Sequence, residues 1–289
     1  MNDTKSKINW FPGHMTKALR EMEVNVKAVD VVIYVLDARA PYSCLNPKFE
    51  TILGKKPVIF VLNKIDLADD TQTKLWEEYF KSTGNVCVSL NSTSTNSSKV
   101  IISAIHSLAQ KKLNKYANKG VNITLRAMVI GVPNCGKSTL INNLCGRYKA
   151  KTGDKPSITR STQWVKLDNM IEVLDTPGTL WPDFNNKTAT NLAIINSIKD
   201  DVVDQGELCV DFIKFALVNY KKEFLERYGL QDEDIMPYEY LERICDVRKF
   251  LLKGEADYER ASRAVLDDFR KGRIGKITLD KYEDIFKNV

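Results

Sequence analysis

The most specific chemical pattern in the chain is a phosphate-binding loop at residues 131–138, which read Gly-Val-Pro-Asn-Cys-Gly-Lys-Ser. In this pattern, backbone N–H groups surround phosphate oxygens, Lys137 reaches the outer phosphates and the Ser138 hydroxyl holds magnesium. An apolar run at 125–130 precedes the loop and a helical run follows it, so a chance turn is a poor alternative. The predicted nucleotide contacts in this stretch are Pro133, Asn134, Cys135, Gly136, Lys137, Ser138 and Thr139.

A second pattern, Asn63-Lys64-Ile65-Asp66, follows the apolar run at 57–62. A carboxylate such as Asp66 accepts hydrogen bonds from the N1–H and 2-amino group of guanine, which adenine does not supply. Alone, Asn63 and Asp66 would indicate only a polar cap between a strand and a helix. Together with a phosphate loop, the four residues predict a site for GTP and GDP.

The order of these two patterns is reversed relative to an ordinary GTPase domain, in which the phosphate loop comes first. Here Lys137 lies 74 residues after Asn63. A domain whose ends lie close together tolerates such a rearrangement because its core is unchanged. The sequence therefore predicts a circularly permuted GTPase domain.

Magnesium has two further candidate ligands. Asp175 begins Asp175-Thr176-Pro177-Gly178 at the end of the apolar run 170–174, and we expect the Gly178 N–H to sense the terminal phosphate. By itself this tetrapeptide would be only a turn. Thr159 is the predicted switch threonine that closes on the ion, with Ser161 and Thr162 as neighbouring alternatives.

A second base-contacting loop is expected after the apolar run 86–90, where Asn91 and Ser92 are the candidates. The stretch departs from the usual Ser-Ala-Lys of such loops, and the polar run 91–98 is also typical of a flexible loop.

The order of elements predicts an α/β fold. Strand-like runs at 31–36, 57–62, 86–90, 125–130, 164–167 and 170–174 alternate with helical stretches such as 71–81 and 99–116. From about Asp204 the pattern becomes helical only, with breaks at Pro237 and 254–257. We predict a GTPase domain over residues 1–203 and an all-helical, RNA-contacting domain over 204–289.

Positive charge is concentrated around the phosphate loop. Residues 111–160 hold eleven Lys or Arg and one acid, whereas residues 205–289 hold sixteen basic and eighteen acidic side chains. Such charges are often a solvated helix face, and part of the excess serves nucleotide phosphates. The remainder suits an RNA backbone. The candidate RNA contacts are Arg147, Lys149 and Lys151, with Lys155 and Arg160 in the same field, and a second cluster of Arg270, Lys271, Arg273 and Lys276 that would also fit a helix C-cap.

Motifs along the whole chain resemble the RbgA/YlqF family of circularly permuted GTPases. They are the opening Trp-Phe-Pro-Gly-His-Met at 10–15, Asp-Ala-Arg-Ala-Pro at 37–41, the permuted nucleotide motifs and Gly-Arg-Ile-Gly-Lys-Ile-Thr-Leu at 272–279. The resemblance implies GTP hydrolysis coupled to late maturation of the large ribosomal subunit. It implies rRNA and ribosomal proteins as partners, and we expect a monomer away from the ribosome. The first switch reads Pro-Ser-Ile-Thr at 156–159 where the family has Pro-Gly-x-Thr.

Ras-type enzymes orient the attacking water with a glutamine directly after the Asp-x-x-Gly, whereas here Thr179, Leu180 and Trp181 follow Gly178. The resemblance assigns the water to His14 instead. His14 would otherwise cap the helix starting near Met15 or pack on the core. Related GTPases with asparagine at the position of Asn134 bind potassium beside the phosphates. For Asp37 and Arg39, a strand-end salt bridge that braces the sheet is the expected role.

Composition agrees with a cytoplasmic protein whose cysteines stay reduced. The 289 residues are 43% hydrophobic, and the six cysteines include no C-x-x-C pair, so neither a zinc site nor a disulfide framework is expected. We also expect no signal segment and no membrane span.

Two function classes stay open: a slow GTPase that is activated by a ribosomal precursor, and an RNA-binding scaffold that uses GTP as a structural ligand. A small-subunit assembly GTPase is disfavoured because no N-terminal β-region or Cys/His cluster is present.

The guanine assignment predicts the behaviour of Asp66→Asn. The amide donates where the carboxylate accepted, so the variant should lose GTP affinity and prefer xanthosine triphosphate. A competition assay between the two nucleotides measures this exchange. An unchanged preference for GTP would remove Asp66 from base recognition.

Overall fold

A computed structural model describes residues 13–146, 162–167 and 170–286, apart from the side chain of His14. Its centre is a six-stranded sheet in the order β3-β2-β1-β4-β6-β5. All neighbouring strands are parallel except β5 and β6. The strands are β1 (Val31–Asp37), β2 (Val58–Asn63), β3 (Val86–Leu90), β4 (Leu125–Ile130), β5 (Gln163–Lys166) and β6 (Ile171–Asp175).

The central strands form because their apolar runs are long enough to be covered on both faces. Every residue of β1 is buried, and the last four residues of β4 are buried as well. Pairing of β1 with both β2 and β4 aligns Asp37 with Asn63 and Val31 with Ala127. As a result, the carboxyl ends of β2, β1, β4 and β6 meet at one edge of the sheet, where ligands bind in open α/β folds.

Helices cover the sheet and then continue as a largely helical C-terminal part. Helix α3 begins at an N-cap, since the Asp69 carboxylate accepts hydrogen bonds from the backbone N–H groups of Thr71 and Gln72. The helices are α1 (Gly13–Asn25), α2 (Pro47–Leu53), α3 (Asp70–Ser82), α4 (Ser97–Ala117), α5 (Lys137–Leu144), α6 (Asn186–Ile194), α7 (Gln205–Asn219), α8 (Lys221–Tyr228), α9 (Pro237–Arg248), α10 (Tyr258–Arg270) and α11 (Tyr282–Phe286).

The predicted α/β class and all six predicted strands are confirmed. The prediction of helices only after Asp204 was wrong in one detail, because β7 (Leu251–Leu252) and β8 (Glu255–Ala256) form a two-stranded hairpin around Gly254. The last described helix, α11, begins at Tyr282. Residues 276–280 lack regular structure because their polar groups bond to the sheet domain.

Trp76 on α3 is the largest of the described side chains that are fully buried. Its ring centroid lies 5.5 Å from that of Tyr282 and 5.8 Å from that of Phe286, both on the last helix. The indole N–H donates to the Asp280 carbonyl at 2.9 Å. Trp76 therefore joins the sheet domain to the end of the described chain.

We expect Trp76→Ala to lower the free energy of unfolding by about 3–5 kcal/mol, because it leaves a cavity and an unpaired carbonyl. Trp164→Ala on the edge strand is the matched control, since that indole is 42% exposed and its loss should cost less than about 1 kcal/mol. Urea unfolding of both variants checks the difference. Equal losses would contradict the described packing.

Candidate functional site: a guanine-nucleotide site at the carboxyl edge of the sheet

Two glycines shape the loop between β4 and α5. Gly131 has φ 147°, and a Cβ there would lie 2.3 Å from the Val35 carbonyl oxygen. Gly136 has φ 102°, and a Cβ there would lie 2.1 Å from Nδ2 of Asn63. Both conformations disfavour a side chain, and both close approaches forbid one. The loop is thus held against β1 and against the Asn63 side chain.

Lys137 lies at the N-terminus of α5 and is 6% exposed. Its ammonium donates to the carbonyl oxygens of Val132 at 2.7 Å and Gly131 at 3.1 Å. Gly178 faces the same point, because a Cβ on it would lie 3.0 Å from Lys137 Nζ and 2.6 Å from the Pro133 Cα. Lys137 and Gly178, which are far apart in the sequence, therefore border one space beside the loop. Ser138 and Thr139 are half-buried in the first turn of α5.

The Asn63 side chain connects three loops. Its Nδ2 donates to the Cys135 carbonyl at 2.8 Å, and its Oδ1 accepts from the Ser92 backbone N–H at 2.9 Å and from the Ser92 hydroxyl at 2.8 Å. Asn63 is 2% exposed. The amide thereby holds the loops after β2, β3 and β4 together, and it places Ser92 against the guanine motif.

Lys64 makes a second connection to the phosphate loop. Its ammonium donates to the Asn134 carbonyl at 2.6 Å and pairs with Asp37 at 2.8 Å. Arg39 donates to the two oxygens of the same carboxylate at 2.9 and 2.7 Å. Burial alone would raise the pKa of Asp37, but the charges of Arg39 and Lys64 and their hydrogen bonds hold it well below its usual range. The strand-end salt bridge expected for Asp37 and Arg39 is confirmed.

Asp66, in contrast, is exposed at the rim of the site, and Ile65 beside it is half-buried. Asn91 uses its side-chain oxygen within its own turn, where it accepts from the Thr93 backbone N–H at 2.8 Å and the Thr93 hydroxyl at 2.7 Å. Base contacts by Asp66, Asn91 and Ser92 remain predictions.

The Asp175 carboxylate fits a cation. It ends β6 with no exposed surface, and neither of its oxygens accepts a well-formed hydrogen bond from the described residues. Burial raises the pKa of Asp175 to about 6, although nearby Lys137, the Thr176 N–H and the Ser138 hydroxyl lower it in part. A buried carboxylate whose oxygens accept no well-formed hydrogen bond, close to a serine hydroxyl, matches the oxygen ligands that magnesium prefers.

Comparison with known proteins identifies the class of protein. A family model described as 50S ribosome-binding GTPase matches residues 126–249, and one described as ethanolamine utilisation - propanediol utilisation matches residues 12–113. The ribosome biogenesis GTPase A of Bacillus cereus is 40% identical over 98% of this chain and 96% of its own length. That of Thermotoga maritima is 30% identical over 96% of both chains.

The chain belongs to the ribosome biogenesis GTPase A family.

A solved relative has the same fold. The GDP-bound structure of TM YlqF has a TM-score of 0.66 and 27% identity, with 92% of this chain and all of that chain covered. The structure of GNP-bound YlqF from T. maritima has a TM-score of 0.63. As a member of the ribosome biogenesis GTPase A family, the chain binds GTP and GDP and hydrolyses GTP. The resemblance to RbgA/YlqF inferred from the motifs is confirmed.

Several predicted residues lie outside the described part of the chain. These are the switch residue Thr159, the basic residues Arg147, Lys149 and Lys151, and the side chain of His14. Asn134 is described: it has φ 58°, and its side-chain amide nitrogen donates to the Asn196 carbonyl at 2.8 Å. A potassium site at Asn134 stays a prediction.

The four cations near residue 270 each face an acidic side chain. Arg270 pairs with Asp200 at 2.7 Å and donates to the Ala193 and Ile194 carbonyl oxygens that end α6. It is only 16% exposed, whereas the side chains of the other three are about half-exposed. Their partners are Asp267 for Lys271, Asp267 and Asp268 for Arg273, and Asp70 for Lys276. Arg270 thus donates hydrogen bonds to the C-terminal end of the neighbouring helix α6. The RNA role of the cluster stays a prediction.

Two residues that sequence reasoning missed brace the phosphate loop from the segment after α6. Asn196, at φ 63°, supplies the carbonyl that Asn134 contacts, and the Ser197 hydroxyl donates to the Pro133 carbonyl at 2.7 Å. Ser197 is 1% exposed. No sequence pattern marks these positions, because the contact depends on the path of α6. Among the described residues, no group of three or more His, Cys, Asp or Glu side chains could hold a metal, and no helix is long and apolar enough to cross a membrane.

The raised pKa of Asp175 leads to a stability prediction for the protein without nucleotide or magnesium. The folded pKa of about 6 exceeds the ordinary 3.8. Burial of Asp175 therefore leaves the free energy of unfolding unchanged below pH 3.8 and lowers it by about 3 kcal/mol once the pH exceeds 6. Asp175→Asn mimics the neutral acid, so it should raise the Tm at pH 7.5 and change it little at pH 4. It should also remove the stabilisation that magnesium adds to the GDP complex.

The matched control is Asp201→Asn, because Asp201 is exposed. Its loss should leave the Tm and the stabilisation by magnesium unchanged. Thermal unfolding at the two pH values, with and without GDP and magnesium, gives the answer. A lower Tm for Asp175→Asn at pH 7.5 would contradict the cost assigned to the buried carboxylate.

Proposed function

We propose that this GTPase binds a late precursor of the large ribosomal subunit and leaves it after GTP hydrolysis. The observation that supports this most is the end-to-end match to relatives named ribosome biogenesis GTPase A, combined with a nucleotide site in which motifs from both halves of the chain meet. The matching family model is described as 50S ribosome-binding, which favours the large subunit. The relatives that match also include mitochondrial ribosome-associated GTPase 1 of Mus musculus, 32% identical.

In this proposal, the described residues divide the work of nucleotide binding. Asp66 accepts from the guanine edge, Asn63 and Lys64 hold the base loop on the phosphate loop, and Lys137 places charge on the outer phosphates. Ser138, Asp175 and Thr159 would hold magnesium, which would supply positive charge to the phosphates. The Gly178 N–H senses the terminal phosphate. The support is the convergence of Lys137, Gly178 and Asp175 at one edge of the sheet.

Water activation requires a residue from elsewhere in the chain. The position after Gly178 offers no polar side chain to solvent, because Thr179 and Leu180 have no exposed surface and Trp181 is 8% exposed. Leu180 and Trp181 are core residues, and the Trp181 ring packs on Phe184 at 4.8 Å. We assign the attacking water to His14 on α1, and we assign a potassium ion at Asn134 the charge that an arginine finger supplies in other GTPases.

Contact with ribosomal RNA is proposed first for Arg147, Lys149 and Lys151. They belong to a stretch with a large excess of basic residues, whereas the cluster at Arg270, Lys271, Arg273 and Lys276 is balanced by acids within the chain. Exposed ion pairs are weak enough for phosphate to replace the acid, so the second cluster is proposed as an auxiliary contact. The six cysteines are free thiols, in keeping with action in the reducing cytoplasm.

GTP hydrolysis measured with and without purified large-subunit precursor particles tests the proposal. We expect slow turnover by the protein alone and strong stimulation by the particles, followed by release of the protein as GDP forms. Binding that continues through many GTP turnovers, or particles that change nothing, would favour a scaffold that holds GTP as a structural ligand.

His14→Ala should leave GTP affinity near normal and lower the particle-stimulated kcat by about 10²-fold, because the interaction is made in the transition state. His106→Ala is the matched control, since the other histidine of the chain is half-buried on α4. Single-turnover hydrolysis on particles compares the two. Normal turnover by His14→Ala would leave His14 as a helix cap.

A further inference from the structure

Residues 276–280, which we call the return segment, run from the C-terminal helices back to the loop that carries Asp66. The Ile277 N–H donates to the Leu67 carbonyl at 3.1 Å, and the Asp69 N–H donates to the Thr278 hydroxyl at 3.1 Å. Ile277 and Thr278 have no exposed surface. Leu67 directly follows Asp66, so the return segment binds the backbone next to the guanine-reading carboxylate.

The same segment holds the loop after β1. The Thr278 hydroxyl donates to the Ala38 carbonyl at 3.3 Å, and the Leu279 N–H donates to the Arg39 carbonyl at 2.6 Å. Arg39 in turn donates from Nη1 to the Arg270 carbonyl at 3.2 Å. Because Arg39 and Lys64 share the Asp37 carboxylate, the return segment is connected to the guanine motif on two sides.

Tyr220, at the junction of α7 and α8, adds a third connection. Its hydroxyl donates to the Asp69 carboxylate at 3.0 Å and accepts from the Thr278 N–H at 3.1 Å. One phenol oxygen therefore joins the helical part, the return segment and the cap of α3. The ring is 7% exposed, so water does not readily replace it.

The far end of the segment is fixed by the Asp280 carboxylate. It accepts from the Ser43 N–H at 2.7 Å, the Ser43 hydroxyl at 2.9 Å and the Asn191 side-chain amide at 2.8 Å. Asp280 is 1% exposed. These bonds anchor the segment to the sheet domain and to α6, so it acts as a fixed support for the loop that it touches.

Hydrogen bonds to the loop at 66–70 thus come from a distant part of the chain. When the return segment leaves, the partly buried N–H of Asp69 and the carbonyls of Ala38 and Leu67 lose partners, which is costly where water reaches them poorly. The loop then samples positions in which Asp66 is misplaced for guanine. Two binding events that order the same loop must favour each other by equal factors.

We propose that Thr278 and Tyr220 are positioning residues for guanine recognition, and that nucleotide binding and seating of the return segment on the loop at 66–70 strengthen each other. The inference rests on the proposed role of Asp66 in base binding. It makes the C-terminal part a component of nucleotide affinity. Both residues would act through the loop at 66–70 and not by contact with the nucleotide.

The test uses the full chain and titration with GDP. Thr278→Val keeps the side-chain shape and removes both hydroxyl bonds, while Tyr220→Phe removes the phenol oxygen. Each should raise the Kd for GDP by about 3- to 10-fold, the size of one lost buried hydrogen bond, and leave kcat at saturating GTP unchanged. Thr278→Ser, which keeps the hydroxyl, should restore most of the affinity.

Tyr240→Phe is the matched control. The Tyr240 hydroxyl donates to the Glu233 carbonyl at 2.7 Å and the residue is 2% exposed, but both partners lie within the helical part. This variant should lose stability and keep the GDP affinity. In the wild type, GDP should slow hydrogen exchange at the N–H groups of Ile277 and Leu279.

An unchanged Kd in both Thr278→Val and Tyr220→Phe would overturn the inference, as would an equal loss of affinity in Tyr240→Phe. Equal rates of hydrogen exchange at the Ile277 and Leu279 N–H groups with and without GDP would also overturn it, and this measurement needs no variant. Titration of the wild type with ADP separates this result from the proposed function: equal affinity for ADP and GDP would remove the guanine assignment itself.

Discussion

The site depends most on the carboxamide of Asn63. Its nitrogen donates to the Cys135 carbonyl while its oxygen accepts two hydrogen bonds from Ser92, so one buried side chain joins the loops that follow β2, β3 and β4. An amide suits this place because it both donates and accepts, whereas a carboxylate would face the Cys135 carbonyl without a proton to donate. These bonds hold the phosphate loop and the base loop in one geometry relative to each other. Gly136 is required at the same point, since its missing Cβ leaves room for the Asn63 amide.

The reversed order of the motifs leaves this geometry intact but changes the path of the chain after the nucleotide site. The chain leaves the site through residues 175–181, forms α6 and then the C-terminal helices, and finally comes back to the loops after β1 and β2. The buried Asp37–Arg39 pair lies at this return point, with Lys64 on one side and the Arg270 carbonyl on the other. Breaking one partner of such a pair leaves an uncompensated buried charge, so the pair holds the two parts of the chain in a defined relation. The C-terminal helices are thus connected to the nucleotide motifs both along the chain after Gly178 and through this buried pair.

Much of this could be predicted because the signals are local in the sequence. The strand from Leu125 to Ile130 and the phosphate loop are marked by an apolar run and a glycine-lysine pattern, and the resemblance to a known family came from motifs that the chain carries from end to end. The support of the loop by Asn196 and Ser197 could not be predicted, because it arises from where α6 ends in space. The same holds for the turn that leads into the return segment: Gly272, Arg273 and Lys276 suggest an exposed basic turn, but the sequence does not show which acids face them. The small hairpin at 251–256 was missed because strands of two residues have no periodicity to detect.

The central claim is that two motifs in reversed order form one guanine-nucleotide site. A crystal structure of the full chain with GDP and magnesium tests it most directly. We expect the guanine edge to lie on the Asp66 carboxylate, the phosphates over the N–H groups of residues 134–138, and magnesium beside Ser138 on the side of Asp175. A nucleotide whose base lies away from Asp66, or whose phosphates lie off the loop at 131–138, would contradict it.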